Sequence, residues 1–236
     1  MWPFTKKTTL DQSGYLKGFT DWHCHILPGV DDGVDSMEQS LKILSDYADM
    51  GVERVWFTPH IMEDVPNTPA ALRERFEELK EAYDGPIELN LAAENMLDCL
   101  FEERLEKGEL LPIGPGGRHL LVETSYYTPP MDLYGTLERI KSAGYFPLLA
   151  HPERYRYMVQ ADYDRLHEMG VKMQMNLTSL AGLYGPEARG RAHKLLKSGY
   201  YHATGTDLHR HRTIAPTVTA AVPAKIIELL PHPSTL

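Results

Sequence analysis

The chain predicts an α/β fold, a distorted or incomplete (β/α) barrel of seven strands, with a doubly wound open sheet as the competing architecture. Three observations lead there. One phrase recurs: a helical stretch, a glycine, a short β-rich run, then a polar residue. It appears as SDYADMG followed by VERVWFTPH, as IKSAG followed by YFPLLAH, as LHEMG followed by VKMQMN, and as LLKSG followed by YYHATGTD. Glycine after a helix fits the left-handed terminating position, and alternating helix and strand implies parallel βα units. Seven such runs can be drafted with no obvious eighth. Isolated His, Glu and Asp residues close nearly every run.

Taken in order, the first strand spans about 18–25, an apolar-aromatic run closed by His23-Cys24-His25. Alternate side chains of a strand share a face, so the two histidines point together and Cys24 points away. A helix follows near 36–50, where Ser36 and Gln39 have the spacing of a capping box. The strand at 53–58 runs to His60, and Thr68-Pro69 is a capped start with proline in the first turn for a helix over 69–83. The strand at 87–93 ends at Glu94, before a helix near 97–107; the strand at 119–123 ends at Glu123, before a helix near 131–143. Strand 145–150 ends at His151, and helix 161–169 leads to strand 172–177, which contains Asn176. Helix 187–198 precedes the last strand, 201–206, beyond which lie Asp207 and His209. From about 213 the chain is Pro- and Ala-containing, and its apolar patch at 225–230 is expected to pack as a short helix. No low-complexity linker interrupts this pattern, so residues 18–236 read as one domain behind an N-terminal extension, 1–17.

Composition narrows the function. The 24 Lys and Arg against 33 Asp and Glu leave a net charge of −9, which argues against a general binder of nucleic acid or acidic membranes. Two cysteines make no disulfide framework and suit a reducing compartment. The first residues lack the apolar core of a signal peptide, and no run approaches the roughly 20 apolar residues of a spanning helix, so no membrane insertion and a cytoplasmic location are expected.

The polar residues that follow the strands form a ladder: His23, His25, His60, Glu94, Glu123, His151, Asp207 and His209, with Asp32 joining from the loop after the first strand. Their spacing is roughly 30 residues, the length of one βα unit, and about twice that at the step that skips Asn176. That places a candidate ligand at the C-terminal end of most strands, where (β/α) barrel enzymes build their active sites. Any one of these residues alone reads as a structural or surface group. Together they would bring many ionisable groups to one mouth, which is costly unless they are paired or bind metal. Histidine and carboxylate without thiolate suit Mn, Fe or Zn. Nine candidates exceed the capacity of one ion; two or three ions sharing carboxylates is the natural reading, with Glu94 as a bridge. Such a centre binds phosphate oxygens and generates a hydroxide nucleophile near neutral pH.

The segments DWHCHILPGVDDG, TPH, AAEN, LVETS, LLAHPERY and GTDLH, spread from about residue 20 to 212, resemble the polymerase-and-histidinol-phosphatase (PHP) superfamily. The closest branch is the bacterial tyrosine phosphatases of the CpsB/YwqE type, associated with capsule and exopolysaccharide synthesis. The resemblance implies a TIM-like (β/α)7 barrel with a trinuclear, usually manganese, site. Matched by motif, His23, His25, Glu94 and Asp207 would hold one ion. Glu94, Glu123 and His151 would hold a second, and Asp32, His60 and His209 a third. Arg154, in HPERY, would contact the substrate phosphate. A second arginine is expected beyond the DxH motif; of Arg210 and Arg212, Arg212 is favoured.

The implied reaction is hydrolysis of phosphotyrosine in a protein by a metal-bridging hydroxide. The implied substrate is the tyrosine-rich tail of an autophosphorylating bacterial tyrosine kinase. A phenol of pKa about 10 leaves readily, so strong acid assistance is unnecessary, although a metal-bound water or His209 is available to supply a proton. The alternative is a small-molecule phosphoesterase of the histidinol-phosphatase kind; a non-enzymatic scaffold would have no use for so complete a ligand set. A cysteine phosphatase needs Cys-x5-Arg, and Val30 and Leu105 stand where that arginine would be. Tyr126, Tyr127, Tyr155 and Tyr157 belong to mouth loops, mostly as packing or surface residues.

Overall fold

The computed structural model describes residues 6–236. Residues 1–5 of the expected 1–17 extension lie outside the described residues. The fold is mixed α/β, built on a curled parallel sheet. Its strands are β1 (Phe19–Cys24), β2 (Val52–Phe57), β3 (His60–Ile61), β4 (Glu88–Leu91), β5 (Glu94–Met96), β6 (His119–Glu123), β7 (Phe146–Ala150), β8 (Lys172–Asn176) and β9 (Ala203–Gly205). One three-stranded sheet runs β1-β2-β4, and a six-stranded sheet runs β9-β8-β7-β6-β5-β3. Every pairing within them is parallel.

Two drafted strands, 53–58 and 87–93, are each followed by a further short strand that was not expected. β2 gives way to β3 after Thr58 and Pro59, and β4 to β5 after Ala92 and Ala93. Each break carries the chain from the first sheet into the second, because β2 pairs with β4 while β3 pairs with β5. The N–H of Ala92 donates to the Phe57 carbonyl and that of Ala93 to the Leu111 carbonyl, so the breaks are themselves hydrogen-bonded. Glu94 therefore opens a short strand instead of closing a long one. At the far edge, Cys24 meets Leu208 in a parallel bridge, and the Asp207 and His25 amides donate to the His23 and Leu208 carbonyls at 2.7 and 2.9 Å.

The helices follow the capping chemistry. Met37–Met50 starts with Ser36 accepting from the Gln39 amide and stops at Gly51 with φ 87°, a left-handed conformation suited to glycine. Pro69–Ala82 starts with Thr68 accepting from the Ala71 amide. The helix drafted from 97 begins instead at Phe101, because the Asp98 carboxylate takes the Leu100 amide and the Arg104 guanidinium and forms a turn first.

Two apolar clusters show which way the sheet curls. The larger unites helix faces with residues such as Leu120, Val122, Leu149 and Met175. The smaller takes Trp22, Trp56, Leu121, Leu148, Ala150 and Ala203 from strands of both sheets and draws no residue from any helix. A doubly wound sheet carries helices on both faces; this one does not. Trp22 and Trp56 stack with ring centroids 5.9 Å apart in the inner cluster. The β1–β2 register shifts between Asp21 and Cys24, and there the simple alternation fails: Trp22 faces inward although Cys24 packs outward.

The segments before and after the strand-helix repeats pack together. Lys7–Thr8 pairs antiparallel with Val222–Pro223, and Leu10 and Leu16 are buried in the main core. The expected tail helix is Ala224–Ile227, with Ile226, Ile227 and Leu230 buried.

Candidate metal centre

The strand ends deliver the nine candidates to one place. His23, His25, Glu94, Glu123, His151 and Asp207 are buried, while His60 and His209 are half-buried and Asp32 lies at the rim. Backbone geometry marks the spot. His151 and Asp207, with φ of 32° and 52°, are the only non-glycine residues with positive φ among the described residues. Side chains avoid that region unless the surroundings enforce it, and such strain concentrates at functional sites.

Glu94 is the hub. Its Oε2 lies 3.2 Å from His23 Nε2, His25 Nε2 and His60 Nδ1, and its Oε1 lies 3.0 Å from His151 Nε2. Asp207 Oδ1 lies 3.7 and 3.5 Å from His23 Nε2 and His25 Nε2, which are 3.0 Å apart. Donor atoms sharing an ion at about 2.0–2.2 Å stand roughly 3–3.5 Å from one another, so this set has the span of a coordination shell. Around Glu123, the His60 and His151 nitrogens stand at 3.0 and 3.8 Å. Asp32 faces His209 Nε2 at 3.3 Å and His60 Nε2 at 3.6 Å. Four overlapping groups of three or four such donors come within 4.8 Å of one another. Glu94 Oε2 and His60 Nδ1 are buried without a hydrogen-bond partner. Unpaired buried polar atoms aimed at a common centre are what cation binding would satisfy.

A further ring of residues aims these donors. His23 Nδ1 donates to Gln174 Oε1 at 2.9 Å; Gln174 Nε2 is engaged with the Met175 carbonyl and Asn176 Oδ1, which fixes its amide and turns His23 Nε2 toward the centre. His25 Nδ1 meets Asp31 Oδ2 at 2.8 Å, to the same effect. Asp207 Oδ2 accepts from Asn176 Nδ2, Arg154 and the Tyr184 hydroxyl at 2.6, 2.7 and 2.9 Å, so only Oδ1 is left for the centre. Burial opposes ionisation of Asp207 and Glu94, yet the facing His23, with Arg154 beside Asp207, holds both carboxyls well below the usual carboxylate range. Both are therefore ready as anionic ligands.

Gln174 and Tyr184 carry no site motif in the sequence, and Asp31, one of two carboxylates just downstream of the histidines, supports His25 where a ligand role was expected. For Gln174 and Asn176 a signal existed: they alternate with Met173 and Met175, the pattern of a strand whose polar side faces a site. Asn176 is the rung the ladder skipped, and it holds Asp207 in place. Tyr184 comes from a loop with no legible pattern.

Arg154 sits on the centre, stacked between the Tyr126 and Tyr184 rings at 4.2 and 3.9 Å. With Asp32, Asp207, His209 and Arg210 it lines a cavity of about 510 Å³. Arg212 does not reach this cavity: it is exposed in a separate depression beside Ser36 and Lys42. The 3-10 turn His211–Thr213 rotates it away, and Arg210 takes the near position. Arg210 donates to the Asp32, Gly33 and His209 carbonyls and so ties the Asp32 loop to the last strand end. Cys24 is buried in the outer core, where burial and the nearby Asp21 push its thiol well up, away from nucleophilic use. Of the four mouth tyrosines, Tyr155 is core, while Tyr127 is exposed.

Residues 19–228 match the family model described as capsular polysaccharide synthesis, CpsB/CapC. The chain belongs to the CpsB/CapC family. Among its relatives, the tyrosine-protein phosphatase YwqE of Bacillus subtilis is 29% identical over 199 residues, 82% of this chain and 78% of that one. The tyrosine-protein phosphatase CpsB of Streptococcus pneumoniae is 30% identical over 202 residues, 80% of this chain and 82% of that one. The fold aligns with the solved structures of YwqE and CpsB, described as unique metal-dependent tyrosine phosphatases, with TM-score 0.76 and 27% identity over 88% of this chain and 83% of the other. A lactonase from Listeria monocytogenes shares the fold alone, with TM-score 0.52 and 14% identity.

Proposed function

We propose that this protein is a metal-dependent protein-tyrosine phosphatase. One observation carries the reading: Glu94 stands at the hub of nine convergent histidines and carboxylates, with Arg154 fixed at the wall of the adjoining cavity. The CpsB/CapC relatives named as tyrosine-protein phosphatases support it and favour it over a small-molecule phosphoesterase.

His23, His25, Glu94 and Asp207 would hold one divalent ion, Glu94, Glu123 and His151 a second, and Asp32, His60 and His209 a third; manganese suits the set. Bound ions of this kind supply Lewis-acid charge and an activated water near neutral pH. The chain's own residues do the rest. Glu94 presents both oxygens, joining the first two groups. Arg154 offers its guanidinium edge to the phosphoryl oxygens while Tyr126 and Tyr184 keep its plane fixed, a preorganised countercharge for the transition state. His209 donates Nδ1–H to the Asp207 carbonyl at 2.9 Å and turns Nε2 to Asp32, which supports a place for it in the metal set. Phenolate leaves with solvent as proton source. Arg210 positions the Asp32 loop.

The two sheets, sharing broken strands and meeting again at Cys24 and Leu208, are read as one distorted seven-stranded barrel. Residues 18–236 would form its single domain. The substrate would be a phosphotyrosine-bearing cytoplasmic tail of a bacterial tyrosine kinase.

Turnover of a phosphotyrosyl peptide against histidinol phosphate, with chelator and with added Mn²⁺, tests the reading. Phosphotyrosine should be strongly preferred and its hydrolysis abolished by chelation. Activity that survives chelation, or a preference for histidinol phosphate, overturns it. Cys24→Ala and Cys99→Ala should keep turnover.

A further inference from the structure

A second cavity, of about 180 Å³, adjoins the reaction cavity and has no part in the steps above. Arg154 lines both, so they lie on either side of one guanidinium. Arg154 itself gives one nitrogen to Asp207, and its remaining edge is assigned above to the phosphoryl group. The two other arginines of the second cavity are not so committed. The Arg156 guanidinium lies over the Tyr127 ring at 5.0 Å and forms no ion pair among the described residues. Arg191 spends Nε on the Glu153 carbonyl at 2.7 Å. Its other nitrogens have only Glu187, 4.0 Å away on a largely exposed side chain, and water screens that pair.

Two guanidinium groups with spare donors therefore share one small polar cavity, on a chain whose net charge is −9. Like charges so placed repel unless an anion joins them. The guanidinium fork fits a carboxylate through two parallel hydrogen bonds. Tyr127, 66% exposed, adds an aromatic wall open to solvent. An extended peptide advances about 3.3 Å per residue and its alternate side chains share a face, so a residue two positions from one held in the first cavity lies on the same side, toward the second.

We propose that this cavity is a subsite for an acidic side chain flanking the phosphotyrosine, with Arg156 and Arg191 as its specificity-determining residues. The inference rests on the phosphatase reading and names the class of peptide it takes. Glu187 limits the subsite to one anionic group by offsetting part of the positive charge.

The test uses two phosphotyrosyl peptides, identical except for Glu or Lys two positions from the phosphotyrosine. The readout is their kcat/KM ratio on a single enzyme preparation, which cancels differences in folding and metal content. The wild-type protein should favour the Glu peptide by about fivefold or more at low salt, the size of a useful charge pair, and less so at high salt. Arg156→Glu should bring the ratio to one or invert it, and Arg191→Gln should lower it. A ratio near one in the wild type, or a ratio unchanged in both variants, overturns the subsite and leaves the phosphatase standing. Failure of the Mn²⁺-supplemented wild type to hydrolyse either peptide overturns the phosphatase reading, and the subsite with it.

Discussion

Asp207 illustrates how a single carboxylate is made into a ligand. Three donors occupy Oδ2, and the strained backbone at φ 52° turns Oδ1 toward His23 and His25. Asn176 supplies the shortest of the three bonds, and Asp31 does the corresponding work for His25. Removing such a partner typically costs 10–100-fold in metal affinity or activity. Asn176→Ala and Asp31→Asn should each fall in that range, measured as the Mn²⁺ concentration for half-maximal turnover and as bound metal after dialysis. Both proteins should remain folded by circular dichroism. Asn176→Asp should be worse than the alanine change, because it sets a second anion against Asp207. The convergent histidines and carboxylates were legible because motif and spacing repeat; their supports were not, because a hydrogen bond between distant strands leaves no local pattern.

At the scale of elements, β9 packs closely against β1. A Cβ on Gly205 would lie 2.5 Å from His23 Cβ and 2.7 Å from its backbone nitrogen. The strand can sit beside β1 only because that residue has no side chain. Gly205→Ala should therefore push β9 from His23, destabilising the fold by about 1–3 kcal/mol, as overpacked cores do, and lowering bound metal. Thermal unfolding with and without Mn²⁺ checks both effects. The main strands were readable from helix-glycine-strand repeats, whereas the short strands His60–Ile61 and Glu94–Met96 beyond Thr58-Pro59 and Ala92-Ala93 were not: two or three residues leave no periodic pattern, and only the change of partner sheet reveals them. At the other end of the strands, His119 opens β6. Burial, then Lys172 and Arg118, push its pKa down to about 4. Its neutral form is the one the fold favours, so the stability it contributes is complete above its unfolded value of about 6.5 and is lost as pH falls toward 4. His119→Gln should flatten the dependence of Tm on pH across that window; an unchanged slope would show that other groups govern it.

For the whole molecule the centre is a load as well as a tool. Four carboxylates and five histidines meet in one place, and burial of unpaired polar atoms such as Glu94 Oε2 and His60 Nδ1 is costly. Divalent cations relieve that cost only in the folded chain, since the ligands come from segments separated along nearly its whole length. The binding energy is therefore coupled to folding. A ligand at a hundredfold its Kd adds about 2.7 kcal/mol per site, and in a chain of this size each kcal/mol moves Tm by roughly 2–4 °C. Chelation should accordingly lower Tm by about 5–10 °C for each tightly held ion lost, and added Mn²⁺ should restore it. The shift should shrink most in Glu94→Gln, which weakens the hub shared by the first two groups, and least in Asp32→Asn at the rim. A Tm indifferent to chelation in the wild-type protein would mean that the nine groups are already satisfied by one another, and the metal centre would have to be abandoned.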